Sequence, residues 1–212
     1  MDSRSRSTAF IASLIQDVIA ARQRLSTSHT HTARRDVVRA SLAAMEGMIW
    51  IAREHVRIAL ADIEQLTPVA DLALRELSYS VTESGRLVEQ TRGLPLLTAI
   101  RLVVSQAQII SPNISVRFSG TGWSNLHRAV EIRNRITHPK PTQDFEISDN
   151  DLAVVVSAVS WLTATVEYVM ASTNLALTQH SVQLRDIVQR LVDGDADALA
   201  EYQAALQNAQ EI

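Results

Sequence analysis

The chain has no cysteine. That excludes a disulfide scaffold, a cysteine nucleophile, a thiolate-ligated zinc and an iron–sulfur cluster. Glycine and proline are scarce, six and five among 212 residues, too few for an all-β protein built on many tight turns. Aromatic residues make up 4%, which argues against a broad stacking platform for single strands. Positive charge is not in surplus: the formal net charge is −3, whereas a protein that coats long stretches of nucleic acid is basic. A small local site for RNA does not conflict with that balance. The phosphate loop GxxxxGK(S/T), the dinucleotide fingerprint GxGxxG, the zinc motif HExxH and the nucleophile elbow GxSxG are all missing. His29 and His31 alternate in a Ser/Thr-rich stretch with no carboxylate beside them, so no metal site is expected, and no cofactor.

What is present is an apolar content of 46% over 212 residues. That suffices for one domain with a buried core and no staple. All the basic residues but Lys140 are arginines, and charge is segregated along the chain. Arg117, Arg128, Arg133, Arg135 and Lys140 are accompanied by one acid, Glu131; after Arg190 come only acids, Asp193, Asp195, Asp197, Glu201 and Glu211. The longest apolar run, Leu152 to Met170, is interrupted by Ser157, Ser160, Thr163, Thr165 and Glu167. A charge inside a span is costly in lipid, so the run reads as the most buried helix of a bundle. No membrane segment or targeting signal is expected, and the compartment is the cytoplasm.

Apolar residues recur at three- and four-residue steps over 8–25 (Phe10, Ile11, Leu14, Ile15, Val18, Ile19) and 34–65 (Val37, Val38, Leu42, Met45, Ile49, Ala52, Val56, Leu60). Both read as helices. Thr67-Pro68 is an N-cap followed by proline at the first helical position, predicting a helix to about Tyr79; Ser80 to Arg92 is polar and undecided. Further helices are predicted over 94–110, 124–138 (stopped by Pro139) and 149–172 (capped by Ser148, with Asp151 in the capping-box position). Two more are expected near 179–192 and 195–208, with Gly194 between them. The expected fold is therefore all-α, an up-and-down bundle over 1–175 with essentially no sheet, and 176–212 as a helical appendage of the same domain. Its core is expected from the helices over 8–25, 34–65, 94–110, 124–138 and 149–172, with Trp50, Trp123 and Trp161 in core or interface packing.

The chemistry-bearing stretch is Glu131-Ile-Arg-Asn-Arg-Ile-Thr-His-Pro-Lys140. Asn134 and His138 are one helical turn apart and share a face with Glu131. Pro139 disfavours the helical conformation at His138, which places the imidazole where the helix unwinds. Arg24 and His29 have the same spacing as Arg133 and His138, so spacing alone decides nothing; the asparagine, the helix, the proline stop and the basic excess mark out the second pair.

This string resembles the signature of HEPN domains, an arginine followed after four to six residues by histidine, commonly with Asn, Asp or His after the arginine. The stretch from Arg39 to Ile49, an apolar run interrupted by Glu46, resembles the second-helix segment of bacterial members. The likeness spans roughly residues 8 to 172; the segment 67–92 and the tail after Thr173 depart from it. It implies metal-independent RNA cleavage by a toxin or defence effector, often in a cleft between two copies. His138 would then act as acid and base, since an imidazole with an ordinary pKa of about 6.5 exchanges protons at neutral pH. Arg133 would hold phosphate through its planar fork of donors. Asn134 would orient the histidine or donate to phosphate, Glu46 would hold Arg133, and Arg128, Arg135 and Lys140 would contact RNA. Expected partners are RNA, a second copy, and an antitoxin or nucleotidyltransferase. The alternative is a non-catalytic HEPN-like module that binds a partner protein or a nucleotide, with Arg133 and His138 as helix-end groups paired to Glu131 or Glu46.

Overall fold

A 3.6-residue apolar period over most of the chain produces helices, and in the computed structural model they bury their apolar stripes against one another. The structure describes residues 3–210, and the side chains of 9–207. The order is α1 (Ser3–Ser28), α2 (His31–Asp62), α3 (Pro68–Leu74), β1 (Leu77–Val81), β2 (Leu87–Thr91), α4 (Leu96–Ile110), α5 (Thr121–Thr137), a 3-10 turn (Thr142–Phe145), α6 (Asp149–Val192) and α7 (Ala196–Gln210). The fold is mostly helical, as expected.

Helix α2 is the central element, with α1, α4, α5 and α6 packed around it. All eight apolar positions anticipated on it, from Val37 to Leu60, are buried. All of them but Val37 meet Ile100, Val103 and Val104 of α4, Leu126, Ile132 and Ile136 of α5, and Val155, Leu162 and Val169 of α6 in one core. Full burial of one such aliphatic side chain contributes about 1.5–3 kcal/mol. At the start of α5, Gly122 lies directly against the Trp161 ring of α6, so only a residue without Cβ admits this crossing.

Four expectations are corrected. First, α1 does not contribute to the central core: Phe10, Ile15 and Ile19 are exposed and Ile11, Leu14 and Val18 are half-buried. It lies along one side of α2 over Gly47, which Leu14 and Phe10 approach closely. Trp50 likewise stands at the surface, edge-on to Phe10 at 5.6 Å between centroids.

Second, the segment 77–91 is an antiparallel hairpin pairing Leu77 with Thr91 and Val81 with Leu87. Helix α3 starts on the expected Thr67 cap, whose hydroxyl accepts from the Ala70 amide at 3.2 Å, but ends at Leu74 rather than Tyr79. The reason lies at Glu76, whose φ of 56° turns the chain out of the helix. Its carboxylate takes Arg53 Nη2 at 3.0 Å, has Nη1 at 2.9 Å off the hydrogen-bond angle, and accepts the Leu94 amide at 2.8 Å. Its carbonyl accepts the Arg92 amide at 2.7 Å. A long-range ion pair thus closes the base of the hairpin.

Third, α6 does not break before residue 179 and passes through position 175 without interruption. No glycine or proline lies between 142 and 193. The hydroxyls of Thr173, Thr178 and Ser181 donate to carbonyls one turn back instead of competing with the helix. Fourth, the polar linker expected between the first two helices shrinks to His29 and Thr30, because α1 runs on to Ser28 and α2 begins at His31. Thr30 caps α2, and its side chain accepts from the Ala33 amide at 3.2 Å.

Helix α6 is long and apolar enough to cross a membrane by length and composition, and about a third of its most apolar window is buried inside the bundle.

Candidate active site at the end of α5

Helix α5 ends where the proline stop requires. His138 is its C-cap at φ −126° and ψ 60°, and its amide still donates to the Asn134 carbonyl at 2.9 Å. The imidazole is exposed and bonds no other described side chain. Asn134 is exposed one turn earlier, also without a side-chain bond to a described residue, and Glu131 is exposed on the same stripe.

Arg133 points elsewhere. On a helix it is 100° from Asn134, and its guanidinium turns toward α2, where Nη2 donates to Glu46 Oε1 at 3.0 Å. The contact is single-pronged, since no other donor of that guanidinium bonds a described residue, and Nε is buried without a partner. The pair is partly open, with side-chain exposures of 32% for Arg133 and 51% for Glu46. The structure therefore brings Arg133 and Glu46 together and leaves His138 and Asn134 on the neighbouring solvent face of the same helix end.

The residues expected to contact RNA divide. Arg128 and Arg135 converge on Asp151, at 3.8 and 3.2 Å. Asp151 is 6% exposed, and it also accepts from the backbone and hydroxyl of Ser148 at 3.1 and 2.9 Å. Burial pushes its carboxyl pKa up, but the Ser148 donors and the Arg135 guanidinium outweigh that and hold it below the ordinary value. Lys140 is exposed, its side chain without a described partner, while its amide donates to Asp144 Oδ2 at 2.8 Å.

The basic excess of 117–140 is thus reduced, though not cancelled, in the folded chain. Folding delivers Glu46 and Asp151 from other elements to face it. Asp151 was anticipated as a cap and not as a carboxylate that accepts from Arg135 and lies near Arg128, because nothing in the spacing pairs α5 with the first turn of α6.

Sequence reasoning also missed the clamp on the loop that follows His138. Three arginines hold three consecutive carbonyls: Arg35 to Phe145 at 2.9 Å, Arg135 to Glu146 at 3.0 Å and Arg34 to Ile147 at 3.1 Å. Arg34 also pairs with Asp149 at 2.7 Å, and Arg35 sits over the Phe145 ring at 5.2 Å. The only signal for it in the sequence is the doublet Arg34-Arg35 at the start of α2.

Among the described residues no three His, Cys, Asp or Glu side chains are grouped to hold a metal ion. No family model matches the chain, and no curated protein and no solved structure matches it.

Proposed function

We propose that this chain is a HEPN-like helical bundle that cleaves RNA without a metal, with α5's end as its active site. The observation that carries the reading is an exposed, unbonded imidazole at the unwound helix end with, on the neighbouring face of the same helix end, an arginine held from α2 by one prong. In the reaction the ribose 2′-hydroxyl gives up its proton and its oxygen bonds the adjacent phosphorus. The bond to the 5′-oxygen breaks, and that oxygen takes up a proton. His138 moves these protons, and Arg133 offers its free donors to the charge on the phosphate oxygens. Glu46 fixes the guanidinium, and Asn134 lies on the histidine's face to align it or the substrate. The products are a 2′,3′-cyclic phosphate and a 5′-hydroxyl. Such an effector acts in the cytoplasm and requires a partner that restrains it, an antitoxin or nucleotidyltransferase.

Incubating the purified protein with mixed RNA in excess chelator tests the reading. Cleavage with cyclic phosphate ends supports it, and intact RNA at high enzyme concentration removes it.

One observation favours the second reading, a non-catalytic module that binds a partner protein or a nucleotide. Arg135 donates to Asp151 and Arg128 stands 3.8 Å from it, so of the three expected RNA contacts Lys140 is the one whose side chain has no described partner.

A further inference from the structure

Phe145 is 38% exposed and takes no part in the core, yet its backbone is fixed. Its carbonyl accepts from Arg35 at 2.9 Å, and the next two carbonyls, of Glu146 and Ile147, accept from Arg135 and Arg34. Arg35 is itself steadied by Thr32, whose hydroxyl accepts from Nη2 at 2.9 Å. Its guanidinium lies over the Phe145 ring at 5.2 Å. The result is a flat aromatic surface, backed by a cation and held still, on the loop that begins at His138. Burial does not explain the effort of holding it there.

The outer face of α2 relates this surface to the proposed site. Arg35, Arg39 and Glu46 lie within about 40° of one another around the helix and so form one line. At one end of the line Glu46 accepts from Arg133. At the other, 11 residues away along α2, or about 16 Å, stands the pair of Arg35 and Phe145. Arg39 lies between them, exposed, with Asp36 at 3.6 Å, beyond hydrogen-bond length. Helix α5 runs the same way: Arg133 meets Glu46, and Arg135, two residues on, meets the Glu146 carbonyl. A strand whose reacting phosphate lies at Arg133 and His138 therefore reaches Phe145 within a few nucleotides. Local charge favours the base as the group received there. Arg34 is paired with Asp149, the Asp144 carboxylate accepts the Lys140 amide, and Glu146 is exposed. So mixed a surface holds no phosphate strongly, whereas an uncharged base stacks on aromatic and guanidinium planes alike.

We propose that Phe145, backed by Arg35, is a stacking site for one unpaired base of the RNA, a few nucleotides from the cleaved phosphate. The inference rests on the RNA-cleaving reading and narrows its substrate to single-stranded RNA. Cleavage of a single-stranded RNA in excess chelator is first mapped, and the RNA is then remade with one abasic residue moved position by position around the cut. The wild type is expected to lose about tenfold in kcat/KM at one such position and to fail on the same RNA annealed to its complement. Phe145→Ala removes the ring but neither acceptor of Arg35, so the loop stays clamped. It is expected to lose about tenfold on the intact RNA and to suffer no further loss from the abasic residue, while Phe145→Trp keeps wild-type behaviour. A merely structural role for the ring would make the two losses multiply, and that result overturns the proposal. So does a wild type that cuts RNA no faster than Phe145→Ala, or that cuts the duplex equally well. A wild type that cuts no RNA removes the RNA reading and this inference with it.

Discussion

Arg133 and Glu46 are 87 residues apart in the chain and 3.0 Å apart in the fold. The contact joins α5 to the central helix α2 at the end where His138 stands. Because both side chains are substantially open to solvent, the pair is worth little to stability, under about 1 kcal/mol. On the proposed reading its value is orientation. Glu46→Gln is therefore expected to leave the melting temperature within about 2 °C of wild type while lowering RNA cleavage at least tenfold. A large fall in melting temperature with activity retained would show the pair to be a structural tie.

Asp151 behaves in the opposite way. It is buried and capped, and it accepts from Ser148 and Arg135. Asp151→Asn is expected to cost about 1–3 kcal/mol, from a weakened capping box and a partly unpaired Arg135. The pH dependence has a definite sign. A carboxyl held below its ordinary value near 3.8 contributes stability that is present above that value and is lost as pH falls through the lowered one. Melting followed between pH 6 and 2.5 is expected to show a steeper acid loss in the wild type than in Asp151→Asn; equal slopes would remove this role.

The hairpin depends on Glu76. Arg53 is 6% exposed, so Glu76→Ala leaves a buried cation without its carboxylate. The expected cost is about 3 kcal/mol, with amide exchange rising first in β1, β2 and the turn at Gly85. Exchange unchanged in the hairpin would mean that the ion pair does not hold it.

Gly122→Ala places a methyl group against the Trp161 ring. The indole must shift, at about 1–3 kcal/mol for overpacking, and tryptophan emission is expected to move with it. A melting curve identical to wild type would show that α5 and α6 separate more easily than the packing implies.

The central helices were legible because their period is strong and their burial complete. Every apolar position anticipated on α2 is in the core, and the caps at Thr67 and Ser148 form as their residues require. The hairpin was not legible. Its strands are mostly exposed, so no buried face imposes alternation on residues 77–91, and the ion pair that closes it joins Arg53 to Glu76 over a distance no local pattern reports. Helix α1 misled for a related reason: its apolar residues repeat at helical spacing, yet among its described residues only Ala21 is buried, because α1 packs mainly on α2. At the site, the unwinding at His138 follows from Pro139, and Glu46 meets Arg133 across α2 and α5, a contact that both the catalytic and the structural reading of the pair allow. The approach of Arg128 and Arg135 to Asp151 could not be read, since it needs the first turn of α6 folded against α5.

The most direct measurement of the central claim is the cleavage rate of one labelled RNA in excess chelator by wild type, His138→Ala and Arg133→Lys, all matched for helical content. The account predicts cyclic phosphate products from the wild type and a loss of about 10²–10⁴-fold for His138→Ala. Arg133→Lys should also be strongly impaired, because an ammonium cannot reproduce the guanidinium fork. Cleavage that persists undiminished in folded His138→Ala, or a wild type that never cuts RNA, would contradict it.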